Sequence, residues 1–270
     1  MEPDLLQLYL NVLGVSRRSP SFDALRELVA AHVTRIPFEN ISKLHYRQHL
    51  GLTDLMPLPL YLDGIERYHF GGTCYTNNFH FYSLLAGLGY EVKLCGADMS
   101  TPDVHMVILV RVNGQEYLVD GGYAAPFLVP LPRGLQVDFV VTLGRDRYVL
   151  KPQDGNGRSR LELYRDGILK HGYVAKPSPR KIEDFHAVII DSFRPDATFL
   201  NAVLLARFYP DRSVVIHNLT RIESRGTESV TYAIAGRGEL VAEVEKHFGI
   251  PAEVVRSALA GLGGLKDVWA

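Results

Sequence analysis

His105-Met-Val-Ile-Leu-Val-Arg-Val112, Asn113-Gly114, then Gln115-Glu-Tyr-Leu-Val119-Asp120-Gly121-Gly122-Tyr123 is the stretch on which the fold turns. Two apolar runs flank an Asn-Gly pair, the residues best able to adopt the two positive φ angles of a tight hairpin turn. With a two-residue turn Val112 faces Gln115. Carried outward, this register sets Val107 opposite Asp120 and His105 opposite Gly122. Paired residues share a face of the sheet, as do residues two apart on a strand. His105 and Asp120 are then diagonal neighbours, roughly 7–8 Å apart and within reach of two polar side chains. An aspartate so placed holds one imidazole nitrogen, fixes the tautomer and frees the other nitrogen to take a proton. The residues alone equally allow a structural His–Asp pair or two solvated strand ends. A single bulge would send them to opposite faces.

Working outward, strand character continues on both sides. Residues 90–96 alternate Tyr90, Val92 and Leu94 against Glu91, Lys93 and Cys95. Short strand-like runs follow at 136–143, 147–152 and 160–165, which predicts a small antiparallel barrel or meander. The chain before residue 90 reads as helical. Leu5, Leu6, Tyr9, Leu10 and Leu13 make one apolar stripe, and Phe22, Leu25, Leu28, Val29 and Val33 another, with Ser21 as N-cap. Residues 36–70 are expected to be less regular, because Pro37, Pro57 and Pro59 interrupt any long helix. After Cys74 the helical period resumes through Tyr75, Phe79, Tyr82 and Leu85, and Gly87 and Gly89 end it. Beyond about residue 185 the types mix: Ala187–Ile190 and Val214–Ile216 read as extended, and 239–260 as two short helices around Pro251. The expected fold is α+β: a helical domain over 1–89, an antiparallel β-barrel domain over 90–185 and a mixed α/β lid domain over 186–270.

Cys74 follows Phe70-Gly71-Gly72-Thr73 and opens the helix. The first amides of a helix are unpaired and the macrodipole adds positive charge there, which favours a thiolate over a thiol. The paired glycines permit close backbone approach. A buried structural cysteine is the alternative. Cys74, His105 and Asp120 together supply a nucleophile, a base and an orienting acid, on a helix start and two adjacent strands. That is the layout of papain-like thiol enzymes.

Composition narrows the rest. The 270 residues carry 29 basic and 30 acidic side chains, a formal charge of −1, which argues against a dedicated nucleic-acid binder. Two cysteines make no disulfide framework and point to a reducing compartment. The acidic start Met-Glu-Pro-Asp is not expected to act as a signal peptide, and no apolar run reaches membrane-spanning length. The expected location is the cytoplasm, without membrane partners. Ten histidines include no His-Glu-x-x-His, so no metal is expected; His45 and His49 have helical spacing but are two groups only. His69 is a rival base by proximity in sequence, and Cys95 reads as inert core. No P-loop or dinucleotide fingerprint occurs.

These segments in this order resemble the arylamine N-acetyltransferase family. Tyr9-Leu10, Ala31-His32 and Arg35-Ile36-Pro37-Phe38-Glu39-Asn40 are similar to the family's helical lead-in and Pro-Phe-Glu-Asn signature. Gly71-Gly72-Thr73-Cys74-Tyr75 with Asn78 resembles its Arg-Gly-Gly-x-Cys-Phe motif and trailing Asn, and Tyr117-Leu118-Val119-Asp120 with Gly122-Tyr123 its Tyr-Leu-Val-Asp-Val-Gly-Phe. Pro195, Phe199 and Leu205-Ala206-Arg207 resemble the opening of its third domain. The sequence departs where Phe70 replaces the motif's Arg, so Glu39 is expected to take another donor, Arg35 or Arg67. Gly121, Ala124, Thr76 and Asn77 are further departures.

The resemblance implies acetyl-coenzyme A or another acyl-coenzyme A as donor and an arylamine or similar small amine as acceptor. Cys74, His105 and Asp120 would be the catalytic triad, and Phe38, Tyr123 and Phe199 would line the acceptor pocket. One or two of Arg207, Arg212, Arg221 and Arg225 would meet coenzyme phosphates or form a solvated face. An amide synthase or thiol hydrolase with the same triad, or a binding protein with a lapsed site, are the other classes.

Overall fold

The computed structural model describes residues 1–265. Its first part holds α1 (Pro3–Leu13), α2 (Phe22–Arg35), the short strand β1 (Phe38–Glu39), α3 (Ile41–Leu50), α4 (Leu58–Tyr68) and α5 (Cys74–Gly87). Ser21 caps α2, its Oγ accepting from the Ala24 amide at 3.2 Å. The irregular stretch expected over 36–70 is instead largely two helices. Pro57 is the N-cap of α4 and Pro59 lies in its first turn. A proline there gives up an amide that has no helical partner, so it starts a helix rather than breaking one.

The middle of the chain forms β2 (Glu91–Asp98), β3 (His105–Val112), β4 (Gln115–Val119), β5 (Leu131–Pro132), β6 (Phe139–Leu143), β7 (Asp146–Leu150), β8 (Ser159–Arg165) and β9 (Ile168–Pro179). They make one antiparallel, barrel-like sheet in the order β5-β4-β3-β2-β9-β8-β7-β6. The hairpin has the expected register, with Val112 opposite Gln115 and Ile108 opposite Val119. Asn113 and Gly114 take φ 52° and 75°, the two positive values the turn needs. Alternation divides β3 between two cores. Val107 and Leu109 face the barrel interior with Leu118, Tyr123 and Tyr173. Ile108 and Val110 pack on the helices, against a core that includes Leu10, Leu25 and Leu85. A strand buried on both faces welds the helical layer to the barrel.

The last part holds α6 (His186–Asp191), β10 (Leu204–Phe208), β11 (Arg212–His217), β12 (Thr220–Arg225), β13 (Glu228–Ala233), α7 (Arg237–Phe248) and α8 (Ala252–Ala260). Ala187–Ile190, expected as extended, lies in α6. Its β-branched residues favour strand, but helical winding buries Ile189 in a cluster with Cys74, Tyr75 and Phe185. The second sheet runs β1-β10-β11-β12-β13. Its first strand comes from the start of the chain, with Phe38 opposite Ala206 and Glu39 opposite Leu205. Asn40 completes the seam: its Nδ2 donates to the carbonyls of Phe199 (2.9 Å) and Ala202 (2.7 Å), and its Oδ1 accepts from the Leu204 amide. No helix among the described residues is long and apolar enough to cross a membrane.

Candidate active site

The segment that leads into Cys74 is held by contacts only its residues permit. Gly71 lies so close to Pro37 that a Cβ would sit 1.9 Å from the Pro37 carbonyl oxygen. Gly72 bridges Phe38, and its carbonyl accepts the Glu39 amide at 3.1 Å. The Glu39 carboxylate is fully buried and accepts from the backbone amides of Ser42 (2.9 Å) and Gly71 (3.1 Å). The expectation of an arginine partner is therefore corrected: Arg35 and Arg67 are exposed, and Glu39 is satisfied by the start of α3 and the glycine loop. Burial pushes its carboxyl above the usual carboxylate range, against the lowering effect of those hydrogen bonds. Phe70, in place of an arginine, packs against Tyr46 and Tyr68. Asn77 ties the loop down from behind, donating to the Gly72 carbonyl at 3.0 Å and accepting from the Tyr61 hydroxyl at 2.9 Å.

Cys74 is thus the first residue of α5, its thiol buried at the edge of an apolar cluster. Thr73 is the N-cap but makes no side-chain capping bond. His105 begins β3 and its Nε2 stands 2.8 Å from Asp120 Oδ2, as the diagonal register predicts. That leaves Nδ1 for the Cys74 thiol, which lies within hydrogen-bonding reach of the ring. Both members of the His–Asp pair are buried. Burial opposes the imidazolium, but the charge and hydrogen bond of Asp120, with the hydrogen bond and electrostatic influence of Cys74, outweigh it and hold His105 up at about 10. Burial also opposes the Asp120 carboxylate, and the His105 charge with donors around it pulls it below its ordinary value.

The acid is oriented by residues that motif matching marks without explaining. Asn78 donates from Nδ2 to Asp120 Oδ1 at 2.8 Å and to the Met106 carbonyl at 2.7 Å, while its Oδ1 accepts from the Gly121 amide at 2.8 Å. The Gly122 amide gives Asp120 Oδ1 a further bond at 3.1 Å. Asn78 is four residues past Cys74, one turn along the same face of α5, which is the sequence signal for this role. Behind Gly121 lies His32, fully buried and stacked on Phe81 at 4.2 Å. A Cβ at residue 121 would come within 2.5 Å of the His32 ring, so this chain's glycine is matched to its histidine. Burial keeps that imidazole neutral, at about 3. Tyr173, which no sequence pattern singles out, packs its ring 5.0 Å from His105.

The three expected pocket residues separate. Phe38 and Phe199 meet edge to face at 5.7 Å, in a cluster with Ala124 and Leu128. Tyr123 belongs to the barrel core, stacked on Phe127, with its hydroxyl 2.5 Å from His171 Nδ1 and its ring 5.6 Å from His105. Its ring packs edge to face against the imidazole of His105. His69 is exposed in a left-handed cap at the end of α4, against Gly249, so it is not the base. His45 and His49 stack at 4.5 Å, and His49 meets Ser257 Oγ at 2.8 Å. Among the described residues no group of three potential ligands converges. Cys95 is buried in the barrel and burial pushes its thiol up to about 11, as an inert core residue requires. Arg221 is engaged by Glu243 at 2.7 Å and Arg207 by the Phe248 carbonyl at 3.0 Å; Arg212 and Arg225 are exposed.

Cys74, His105 and Asp120 thus converge in one buried place, the arrangement expected of a thiol with its base and orienting acid. A family model described as N-acetyltransferase matches residues 21–256. The chain belongs to the arylamine N-acetyltransferase family. The pineal-gland isozyme of arylamine N-acetyltransferase from Gallus gallus is 28% identical over 240 residues, covering 78% of this chain and 80% of that protein. The Nocardia farcinica arylamine N-acetyltransferase superposes with a TM-score of 0.77 at 26% identity, covering 98% of this chain and 94% of that one. The Mycobacterium marinum enzyme in complex with CoA superposes at 0.79 with 24% identity, covering 95% and 97%. This chain is thus an acyltransferase, and Cys74, His105 and Asp120, expected from its helix and hairpin, stand together in its structure.

Proposed function

We propose that the chain transfers an acyl group from an acyl-coenzyme A, acetyl-coenzyme A in the first instance, to an arylamine or similar weakly basic amine, through an acyl-Cys74 intermediate. The observation that carries this reading is the buried Cys74–His105–Asp120 constellation at the start of α5. His105, oriented by Asp120, takes the Cys74 proton. The thiolate attacks the donor carbonyl, and the tetrahedral oxyanion receives a hydrogen bond from the Cys74 amide at the helix start. The carbon–sulfur bond to coenzyme A breaks, and the leaving thiolate takes the proton that His105 holds. The acceptor amine then attacks the acyl-cysteine, His105 receives the amine proton, and Cys74 is released. Two half-reactions sharing one enzyme form give ping-pong kinetics.

An arylamine suits this site because its nitrogen is neutral near pH 7 and its ring needs an apolar wall, which Phe38 and Phe199 supply. We place the enzyme in the cytoplasm, where both free cysteines stay reduced. The test is intact-protein mass spectrometry after exposure to acetyl-coenzyme A without amine. One added acetyl group, mapped to the Cys74 peptide and discharged by an arylamine, supports transfer. Discharge by water alone at the same rate would make the protein a hydrolase, and no acylation would reject the reading.

A further inference from the structure

Lys43 sits where local energetics disfavour it. It is in the first turn of α3, where the helix dipole opposes a cation, and it is 7% exposed. Among the described residues its ammonium makes no salt bridge. Among those residues its Nζ has one hydrogen-bond partner, Ser192 Oγ at 2.7 Å, and it lies 3.9 Å from the centre of the Phe193 ring. An ammonium has three donors, so most of its capacity is unspent. A buried charge so poorly answered is costly unless an anion comes to it.

The cleft it lines says where that anion would lie. Its walls include Lys43, Thr73, Tyr75, Thr76, Ser192 and Phe193. Thr73 and Thr76 belong to the N-terminal end of α5, a helix of 14 residues whose cap side chain leaves the first amides unclaimed. Tyr75 and Phe193 also pack in the cluster that holds Cys74. The acid bordering the cleft, Asp54, is engaged by the Leu55 amide at 2.7 Å and His186 Nδ1 at 3.5 Å. Burial lowers the ammonium to about 8, Cys74 opposing this and Arg47 adding to it, so Lys43 remains charged near neutrality.

We propose that Lys43 and the first turn of α5 form a carboxylate subsite beside the nucleophile, filled by the free carboxylate of a substrate: either a dicarboxylic acyl-coenzyme A or a carboxylated arylamine. This rests on the acyl-transfer reading and names its substrate class. The incoming carboxylate takes the place of the Ser192 hydroxyl on Nζ. The group being transferred stays on the Cys74 side of Tyr75.

Two matched pairs separate the sources. In the donor arm, succinyl- and butyryl-coenzyme A are compared by single-turnover acylation of Cys74. In the acceptor arm, 4-aminobenzoate and 4-methylaniline are compared by discharge of the acetyl-enzyme. The wild type is expected to favour the anionic member in one arm, and Lys43→Met to lower that anionic-to-neutral ratio about tenfold or more. A general loss of activity cancels in the ratio, and Lys43→Gln repeats the test where the methionine variant does not fold. A wild type without preference in either arm, or a ratio that both variants leave unchanged, overturns the subsite while acetylation of Cys74 still upholds the transferase. Should no thioester acylate the enzyme, calorimetric titration of succinate and 4-aminobenzoate into the Cys74→Ala protein decides. Binding weakened about tenfold by the added Lys43 change supports the subsite, and equal or absent binding rejects it.

Discussion

Asn78 and Asp120 are joined twice, once directly through Nδ2 to Oδ1 at 2.8 Å and once through the amide of Gly121, the residue next to the acid. The asparagine therefore fixes both the carboxylate and the backbone that carries it. Replacing Asp120 by Asn keeps the shape but favours the wrong His105 tautomer, and is expected to lower kcat/KM about 10³-fold. Asn78→Ala removes a positioning contact and leaves buried polar groups unpaired, so it should cost about 1–3 kcal/mol of stability with a smaller loss of rate. Steady-state kinetics and urea melts on the two variants check this; equal kinetic losses would contradict it.

Cys74 and His105 are expected to fail as one unit. Cys74→Ala should remove acyl transfer, His105→Ala should cost a similar amount, and the double variant little more than either. Multiplicative losses in the double variant would show that the two residues act separately.

Acidity leaves a signature in stability. The His105 imidazolium is held up at about 10, against roughly 6.5 in an unfolded chain. A raised value means the pairing contributes fully below about pH 6.5 and fades as pH climbs towards 10. Asp120 is depressed, so its contribution is present above roughly pH 4 and lost in more acidic solution. The stability gap between wild type and His105→Ala should thus be widest between about pH 4 and 6.5 and narrow steadily in alkali. Urea midpoints from pH 5 to 10 test this, and a gap that widens with pH sinks it.

His32 and Gly121 should behave as a coupled pair. Gly121→Ala drives a methyl into the imidazole and is expected to destabilise the protein by about 1–3 kcal/mol and slow turnover by moving the acid loop. In a His32→Ala background the same methyl enters the vacated space, so the double-mutant cycle should show coupling of about 0.5–3 kcal/mol. Additive effects would mean that the two sites do not share that space.

Phe38 and Phe199 pack edge to face, and we propose their pair as the acceptor's apolar wall. Phe38→Ala or Phe199→Ala is expected to raise the arylamine KM about tenfold, with less effect on single-turnover acylation by acetyl-coenzyme A. A loss falling on acylation instead would move the acceptor elsewhere.

Much of the architecture was readable because local rules and the fold agree. Asn113-Gly114 enforces one register, and that register brings His105 to Asp120. Cys74 shows itself by glycines on one side and helical period on the other. The helices α3 and α4 are hidden in the sequence because proline ordinarily breaks a helix, whereas Pro57 and Pro59 start α4. Ala187–Ile190 misled because its β preference is overruled by the burial of Ile189. Other features have no local signature at all. Glu39 is answered by amides from two segments, Tyr173 reaches His105 from a distant strand, and Lys43 meets Ser192 from far along the chain. Contacts of that kind exist only once the chain has closed on itself.

The hydrogen bonds of Asn78 to Met106 and Asp120 cross from the helical layer to the barrel. The thiol of Cys74 therefore sits on the helical layer and the imidazole of His105 on the barrel sheet, with a single amide side chain among the rivets. Heat that loosens this joint should extinguish turnover before circular dichroism registers any loss of helix or sheet, so catalysis itself is the most sensitive thermometer of how tightly the two layers are docked.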